Sequence, residues 1–145
     1  MKMTLYLDVD GVILGRDSNG DSVLIPNIEK ILHYCNKYFK CYWLSTHGRH
    51  STEDVLGYLW PYSRDIDFSI FKKIEAVRWN TLKTETIDFS GPFIWIDDHP
   101  LDAEIKILKK NRCFKNWLHV DTYLNIMDLT EEKIEVLRQM LLQKP

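Results

Sequence analysis

Short apolar runs that end in polar residues alternate along this chain with segments of helical periodicity. Each run has the length of a buried strand, and acids, hydroxyls or a glycine follow it. These predicted strands cover residues 4–7, 41–44, 93–96 and 117–120, with a weaker one at 68–70. Helical spacing of apolar residues predicts helices that begin near residues 26, 51, 74, 100 and 130, and a proline or a hydroxyl residue opens most of them.

The segment VILGRDSNGDSVLI at residues 12–25 departs from this alternation. Its two apolar arms flank Asn19 and Gly20, a pair that favours two-residue hairpin turns because both residues tolerate positive φ. The segment therefore predicts a small flap at 12–25, soon after the first strand.

The alternation itself predicts the fold class. Strands that alternate with helices indicate βαβ units, and these build a mostly parallel sheet with helices on both faces. We predict an α/β fold of the three-layer, doubly wound type, formed by a single domain over residues 1–145. Ligands of such sheets bind at the carboxyl ends of the strands, where the polar clusters of this chain lie. Separate loops should therefore converge on one site.

The composition excludes several functions. With 45% hydrophobic residues, the chain can bury a full core without metal or disulfide staples. A net charge of -2 predicts no general affinity for nucleic acid or for anionic membranes. The first ten residues lack the features of a signal peptide or membrane span, and the three cysteines show no CxxC spacing. We therefore expect reduced thiols and a cytoplasmic location.

Two acid pairs end two of the predicted strands. Asp8 and Asp10 are two residues apart, so strand alternation points both carboxylates the same way, and Gly11 allows a sharp turn after them. Asp97 and Asp98 end another strand. Close carboxylates repel unless a cation or a proton lies between them, and a hard cation such as Mg²⁺ prefers oxygen ligands. The strand ends thus indicate a divalent-metal site.

Ser45 and Lys73 add polar groups of other kinds. Ser45 follows the strand at 41–44 and offers a hydroxyl donor, and Lys73 stands at the start of a predicted helix and offers a positive charge. The chain lacks GxxxxGK[ST], GxGxxG, GxSxG and HExxH motifs. Nucleotide-triphosphate loops, dinucleotide-binding folds, serine hydrolases and zinc proteases are therefore without support.

Taken in order, four segments resemble the signatures of haloacid dehalogenase (HAD)-like hydrolases. LYLDVDGV resembles the first signature, a strand followed by DxDGV, and YWLST resembles the second, a hydrophobic strand that ends in Ser or Thr. KKIEAV is similar to the third, a helix-opening lysine, and FIWIDD to the fourth, a strand that ends in paired acids. The ordered set covers most of the chain.

The resemblance implies a Mg²⁺-dependent phosphatase that forms an aspartyl-phosphate on Asp8. It implies that Asp10 is the general acid and base, and that Ser45 and Lys73 bind the phosphoryl oxygens. The implied Mg²⁺ ligands are Asp8, the backbone carbonyl of Asp10, and Asp97. Asp98 is either a ligand through water or a partner of Lys73.

Some of these assignments have alternatives in the sequence. Thr46 is adjacent to Ser45, Lys72 is adjacent to Lys73, and Lys83 is a remoter candidate. Four basic residues flank the predicted loops and stay outside the predicted catalytic set: His47, Arg49, His50 and His99.

Two hypotheses without phosphatase activity compete with this one. A receiver-type phosphoacceptor domain also combines an α/β sheet, Mg²⁺ and an aspartyl-phosphate. It resembles a pattern with the acid pair first and the phosphoacceptor later, the reverse of the order here. A HAD-like binding module that has lost activity would normally lack a signature residue, and this chain has all of them.

The gaps between the signatures are short. HAD-like enzymes that act on small metabolites often carry an inserted cap domain, but here residues 11–44 are used by the flap and one helix, and residues 46–72 by a helix and a short strand. The resemblance is therefore to a small member without a cap. Its open site predicts a bulky phosphorylated substrate, such as a protein or a nucleic-acid end, or a homo-oligomer in which a neighbouring subunit serves as the cap.

Overall fold

The computed structural model describes residues 2–143. The strands are β1 (Met3–Leu7), β2 (Leu14–Arg16), β3 (Ser22–Leu24), β4 (Phe39–Trp43), β5 (Glu75–Ala76), β6 (Phe93–Asp97) and β7 (Trp117–His119). The α-helices are α1 (Ile28–Tyr38), α2 (Thr52–Leu59), α3 (Ser69–Lys72), α4 (Asp102–Lys110) and α5 (Glu131–Leu142). Within residues 2–143, no helix combines the length and the apolar composition needed to cross a membrane.

The main sheet has the strand order β5-β4-β1-β6-β7, and all of its strands run parallel. β1 lies at its centre between β4 and β6, so the strand order reverses there. This arrangement is compatible with a Rossmann-like fold. The predicted α/β class and the mostly parallel sheet are confirmed.

Helices cover both faces of this sheet. In β1, Leu5 and Leu7 belong to the apolar core that also contains buried residues of α1, α2 and α5, whereas Tyr6 belongs to the core beneath α4. Strands that are buried on both faces read as continuous apolar runs, as those of this sequence do.

The segment between residues 67 and 82 differs from its prediction. The apolar pattern predicts a strand at 68–70 and a helix from 74, but the chain forms α3 first and β5 afterwards. Asp67 accepts hydrogen bonds from the backbone N–H and the hydroxyl of Ser69, which favours a turn into a helix. β5 then pairs with the outer edge of β4. Short apolar runs do not distinguish a strand from a helix, and here the tertiary pairing decides.

The predicted flap is an antiparallel hairpin of β2 and β3. In its turn Gly20 has φ 82 and donates its N–H to the carbonyl of Asp17. At its base the hydroxyl of Thr122 lies 3.0 Å from the carbonyl oxygen of Val12 and 3.1 Å from that of Leu14. The flap is therefore bound to the loop that follows β7.

Candidate functional site

Three polar side chains meet at the carboxyl ends of the central strands. Asp8 follows β1, Ser45 follows β4 after one further residue, and Asp97 ends β6. β1 pairs in parallel with both neighbours, Leu7 opposite Trp43 on one side and opposite Ile96 on the other, so the three ends are level. This is the position in the sheet at which α/β proteins bind ligands.

Asp8, Asp97 and Asp98 form a compact group, here named the acid cluster. One carboxylate oxygen from each lies within 4.8 Å of the others. Asp8 and Asp97 are only 6% and 1% exposed, and Asp98 is half-buried. Gly11, with φ 76, packs so closely on Asp98 that an added Cβ atom would lie 2.3 Å from its Oδ2. Glycine is required there both by the backbone conformation and by the space.

Lys83 is the cation of the acid cluster. Its Nζ lies 2.7 Å from Asp97 Oδ2 and 3.3 Å from Asp8 Oδ1, and its side chain is only 12% exposed. Lys83 opens a short 3₁₀ turn, and its backbone N–H donates to Glu104 Oε2 at 2.6 Å. Buried Glu104 also accepts from the N–H of Leu101 at the start of α4, so one carboxylate holds both segments in place.

Lys73, which the sequence analysis predicted to bind the phosphoryl oxygens, does not lie beside the acid cluster. It is exposed at the end of α3, two residues before β5 begins. β5 runs parallel to β4, so residues that precede β5 lie toward the amino ends of the strands, on the side opposite the acid cluster. Lys72, also exposed, packs over the ring of Phe68 instead. The lysine beside Asp8 is the remoter sequence candidate, Lys83.

The ionisation of the acid cluster reflects its burial. Burial raises the pKa of Asp8 well above its usual range, the charge of Asp97 raises it further, and Lys83 opposes the rise. Burial and the charge of Asp97 also raise the pKa of Asp98. Burial by itself lowers the pKa of Lys83, but the carboxylates of Asp8 and Asp97 outweigh this effect and hold the pKa above its ordinary value.

The donor set fits a divalent metal. Three carboxylates and one ammonium group carry a net charge of about −2 when all are ionised, the charge that a divalent cation neutralises. Hard cations prefer carboxylate oxygens as ligands. Of the residues predicted as ligands, Asp8, Asp97 and Asp98 come together in this way.

The Asp10 carboxylate has other partners and, among the described residues, lies outside the acid cluster. Its Oδ1 accepts a hydrogen bond from the Tyr58 hydroxyl at 2.7 Å, and its Oδ2 lies 2.6 Å from His47 Nε2. Burial together with the Asp10 charge raises the pKa of the Tyr123 hydroxyl to about 12. The backbone carbonyl of Asp10 is therefore the only group of this residue that we still predict to be a metal ligand.

Ser45 is buried just beyond the carboxyl end of β4. Its Oγ accepts the backbone N–H of His47 at 3.1 Å, and its carbonyl accepts the indole N–H of Trp79 at 3.0 Å. The hydroxyl proton of Ser45 is then available for a ligand. Thr46 is exposed and begins a 3₁₀ turn, so Ser45 is the better placed hydroxyl.

The basic residues that flank the loops differ in their contacts. His47 reaches Asp10, whereas the guanidinium of Arg49 lies over the Trp79 ring, 4.7 Å from its centroid. His99 contributes its backbone N–H, which donates to Asp97 Oδ1 at 2.9 Å, and the His50 side chain is exposed.

The sequence prediction missed Tyr58, Tyr123 and Glu104. Tyr58 lies on a predicted helix, but nothing in the sequence of that helix distinguishes it from a tyrosine that only packs against the core. Tyr123 and Glu104 reach the site only because β7 and α4 are folded beside β6. No local sequence signal indicates these contacts.

No protein-family model matches this chain, and a comparison with curated proteins also gives no match.

Proposed function

We propose that this chain is a Mg²⁺-dependent phosphatase with a HAD-like fold, in which Asp8 accepts the phosphoryl group. The observation that carries the proposal is the contact of Lys83 with both Asp8 and Asp97 inside a buried acid cluster. A structural role seldom offsets the cost of burying two carboxylates beside a third, whereas anion transfer through a metal site requires such a cluster.

In the first half-reaction, a carboxylate oxygen of Asp8 attacks phosphorus and the bond from phosphorus to the leaving oxygen breaks. Asp10 donates a proton to that oxygen, so the product departs as a neutral alcohol. Ser45 donates its hydroxyl to a phosphoryl oxygen, and Lys83 offsets the negative charge around Asp8.

In the second half-reaction, water attacks the phosphorus of the aspartyl-phosphate. Asp10 takes a proton from that water, the bond from Asp8 to phosphorus breaks, and inorganic phosphate leaves with Asp8 restored as a carboxylate. The proton that Asp10 gave in the first half is thereby regained.

The acid cluster of Asp8, Asp97 and Asp98 would hold Mg²⁺, with the backbone carbonyl of Asp10 as a further ligand. When bound, the ion supplies charge neutralisation that allows one anion to approach another. Oxygen ligands in this number favour Mg²⁺ over softer metals.

The substrate that fits an open site is a bulky phosphoester, such as a phosphorylated protein or nucleic-acid end. Between β1 and β4 the chain forms only the flap hairpin and α1, so the part of the chain that the structure describes has no inserted cap there. A neighbouring subunit that covers the site is the other arrangement compatible with this geometry.

The proposal is tested with para-nitrophenyl phosphate, a generic aryl phosphate. Purified protein is expected to release phosphate with Mg²⁺ and to lose turnover on chelation, because the acid cluster repels an anionic substrate unless a cation is bound. Readdition of Mg²⁺ should restore the rate.

Asp8→Asn is the matched control, because it keeps the size of the side chain and removes the nucleophile. It should release no phosphate above background. Full activity in EDTA, or in Asp8→Asn, would exclude the proposed mechanism.

A further inference from the structure

The carboxylate of Asp10 is held by partners that the proposed mechanism does not use. His47 lies 2.6 Å from one of its oxygens and the Tyr58 hydroxyl lies 2.7 Å from the other. We propose that His47 and Tyr58 are positioning residues that orient Asp10 for proton transfer and keep its carboxylate out of the acid cluster. This inference rests on the proposed function.

Asp10 needs such partners because its place in the chain does not fix its carboxylate. It follows Asp8 by two residues, and its side chain is 36% exposed, so burial alone does not fix the orientation of the carboxylate. An unrestrained carboxylate beside a divalent metal is attracted to the metal. One donor on each oxygen opposes this, because rotation of the carboxyl group would break both bonds.

His47 is itself held in place. It follows Ser45 in a 3₁₀ turn, and its backbone N–H donates to the Ser45 hydroxyl. Gly48 in the same turn packs on α2 so closely that an added Cβ would lie 2.3 Å from Val55 Cγ2. The imidazole therefore reaches Asp10 from a turn with two separate anchors.

Tyr58 joins the two contacts into one unit. Its ring is stacked on the His47 ring, with centroids 3.5 Å apart and planes 9° from parallel. Its hydroxyl and the His47 Nε2 atom then approach opposite oxygens of the same carboxylate. Because the two rings are stacked at this distance, each ring restrains the orientation of the other. Such mutual restraint is expected of a preorganised site.

The test uses variants that separate the hydrogen bonds from the stacking. Tyr58→Phe keeps the stacked ring and removes one donor, and His47→Phe keeps a ring and removes the other. Tyr62→Phe is the matched control, because Tyr62 packs edge-on against Tyr58 and removal of its hydroxyl leaves the Asp10 contacts intact.

The readout is the pre-steady-state rate of leaving-group release from phenyl phosphate, a poor leaving group, and from para-nitrophenyl phosphate, a good one. His47→Phe and Tyr58→Phe should each slow release from phenyl phosphate by about 10-fold, the effect of losing one bond to a charged group. Release from para-nitrophenyl phosphate should fall less, with KM little changed, and Tyr62→Phe should match the original enzyme for both.

The same variants are then made in an Asp10→Asn background. If the two residues act through Asp10, they should cause little further loss there. Equal losses for both leaving groups, or losses that add in full to that of Asp10→Asn, would overturn the inference. Circular dichroism before the assay restricts the comparison to folded variants.

This outcome is separable from failure of the proposed function. If Asp8→Asn is inactive and the His47 and Tyr58 losses are additive with Asp10→Asn, only the positioning role is wrong. Activity in Asp8→Asn would instead remove the phosphatase mechanism on which the inference stands.

Discussion

Lys83 is the residue on which the charge balance of the acid cluster depends. It contacts Asp8 and Asp97 at once, and no second lysine of the described chain has such contacts. In a buried site a fixed positive charge stabilises a transferring phosphoryl group far more than it does in water. Its removal should therefore affect the reaction more than the loss of a surface lysine.

We predict that Lys83→Met lowers the rate of aryl-phosphate hydrolysis by on the order of 10²- to 10³-fold. Lys73→Met is the matched control, because the substitution is identical and Lys73 is exposed away from the acid cluster. The rate of Lys73→Met should stay close to that of the original enzyme. A large loss of rate in Lys73→Met with a small loss in Lys83→Met would instead support Lys73 as the phosphate-binding lysine, as the sequence alone favoured.

Asp10 carries the proton transfers in the proposed mechanism. We predict that Asp10→Asn slows turnover by on the order of 10²- to 10⁴-fold, the usual effect of losing a general acid and base, while the fold is retained. In the first half-reaction the loss should shrink as the leaving group improves. Pre-steady-state release from a series of aryl phosphates measures this, and equal losses across the series would show that Asp10 is not the acid.

The acids of the site could be predicted from sequence because strand ends and acid pairs are local features. Asp8, Asp97 and Asp98 each follow an apolar run within a few residues. Lys83 could be named only as a remoter candidate, because it lies in a short 3₁₀ turn whose position is set by a bond to Glu104 on α4. A contact between distant segments, such as this one, cannot be predicted from the local pattern of apolar and polar residues.

At the scale of elements, the flap hairpin is the part of the fold that borders the site. Thr122 binds its base through the carbonyls of Val12 and Leu14, and the Arg16 guanidinium lies over the ring of Tyr123, whose pKa the charge of Asp10 raises. The flap is thus connected to the loop after β7, which also contributes Tyr123 to the surroundings of Asp10. It is the one lid-like element near the acid cluster among residues 2–143.

We predict that replacing residues 16–22 by a tight turn weakens binding of a macromolecular substrate more than it slows aryl-phosphate turnover. The bonds from the Thr122 hydroxyl to the carbonyls of Val12 and Leu14 lie outside the replaced segment, so the base of the hairpin should stay in place. Comparison of KM for a phosphopeptide and a phosphorylated oligonucleotide with kcat for an aryl phosphate measures the effect. Equal losses for all three substrates would argue against a role in substrate binding.

The elements themselves show where sequence patterns suffice. β1 and β6 are largely apolar on both faces and lead directly into polar residues, so the pattern alone predicts their positions. In β4 the side chain of Lys40 is exposed, and the pattern predicts only the second half of that strand. The error lies at α3 and β5, each of four residues or fewer, because a segment so short carries only about one period of its pattern and no repeat of it. Pairing with β4 fixes β5, and that pairing is a tertiary event.

For the whole molecule, the strand order explains why distant residues form one site. With β1 between β4 and β6, the loops after these strands open at the same edge of the sheet, and Asp8, Ser45 and Asp97 meet there. The alternation of strands and helices predicts this convergence before any coordinates are known. Which lysine and which tyrosines join the acids depends on the packing of helices and loops around that edge.

In the proposed mechanism Asp8 becomes phosphorylated during turnover, and the phosphorylated protein can be trapped. Asp10→Asn is mixed with Mg²⁺ and an aryl phosphate, quenched in acid, and analysed by intact mass and peptide mapping. We expect one added phosphoryl group, on Asp8, which hydroxylamine removes as it does any acyl phosphate, and none in Asp8→Asn/Asp10→Asn. Phosphate release without a phosphorylated protein, or a phosphoryl group on another residue, would contradict this mechanism.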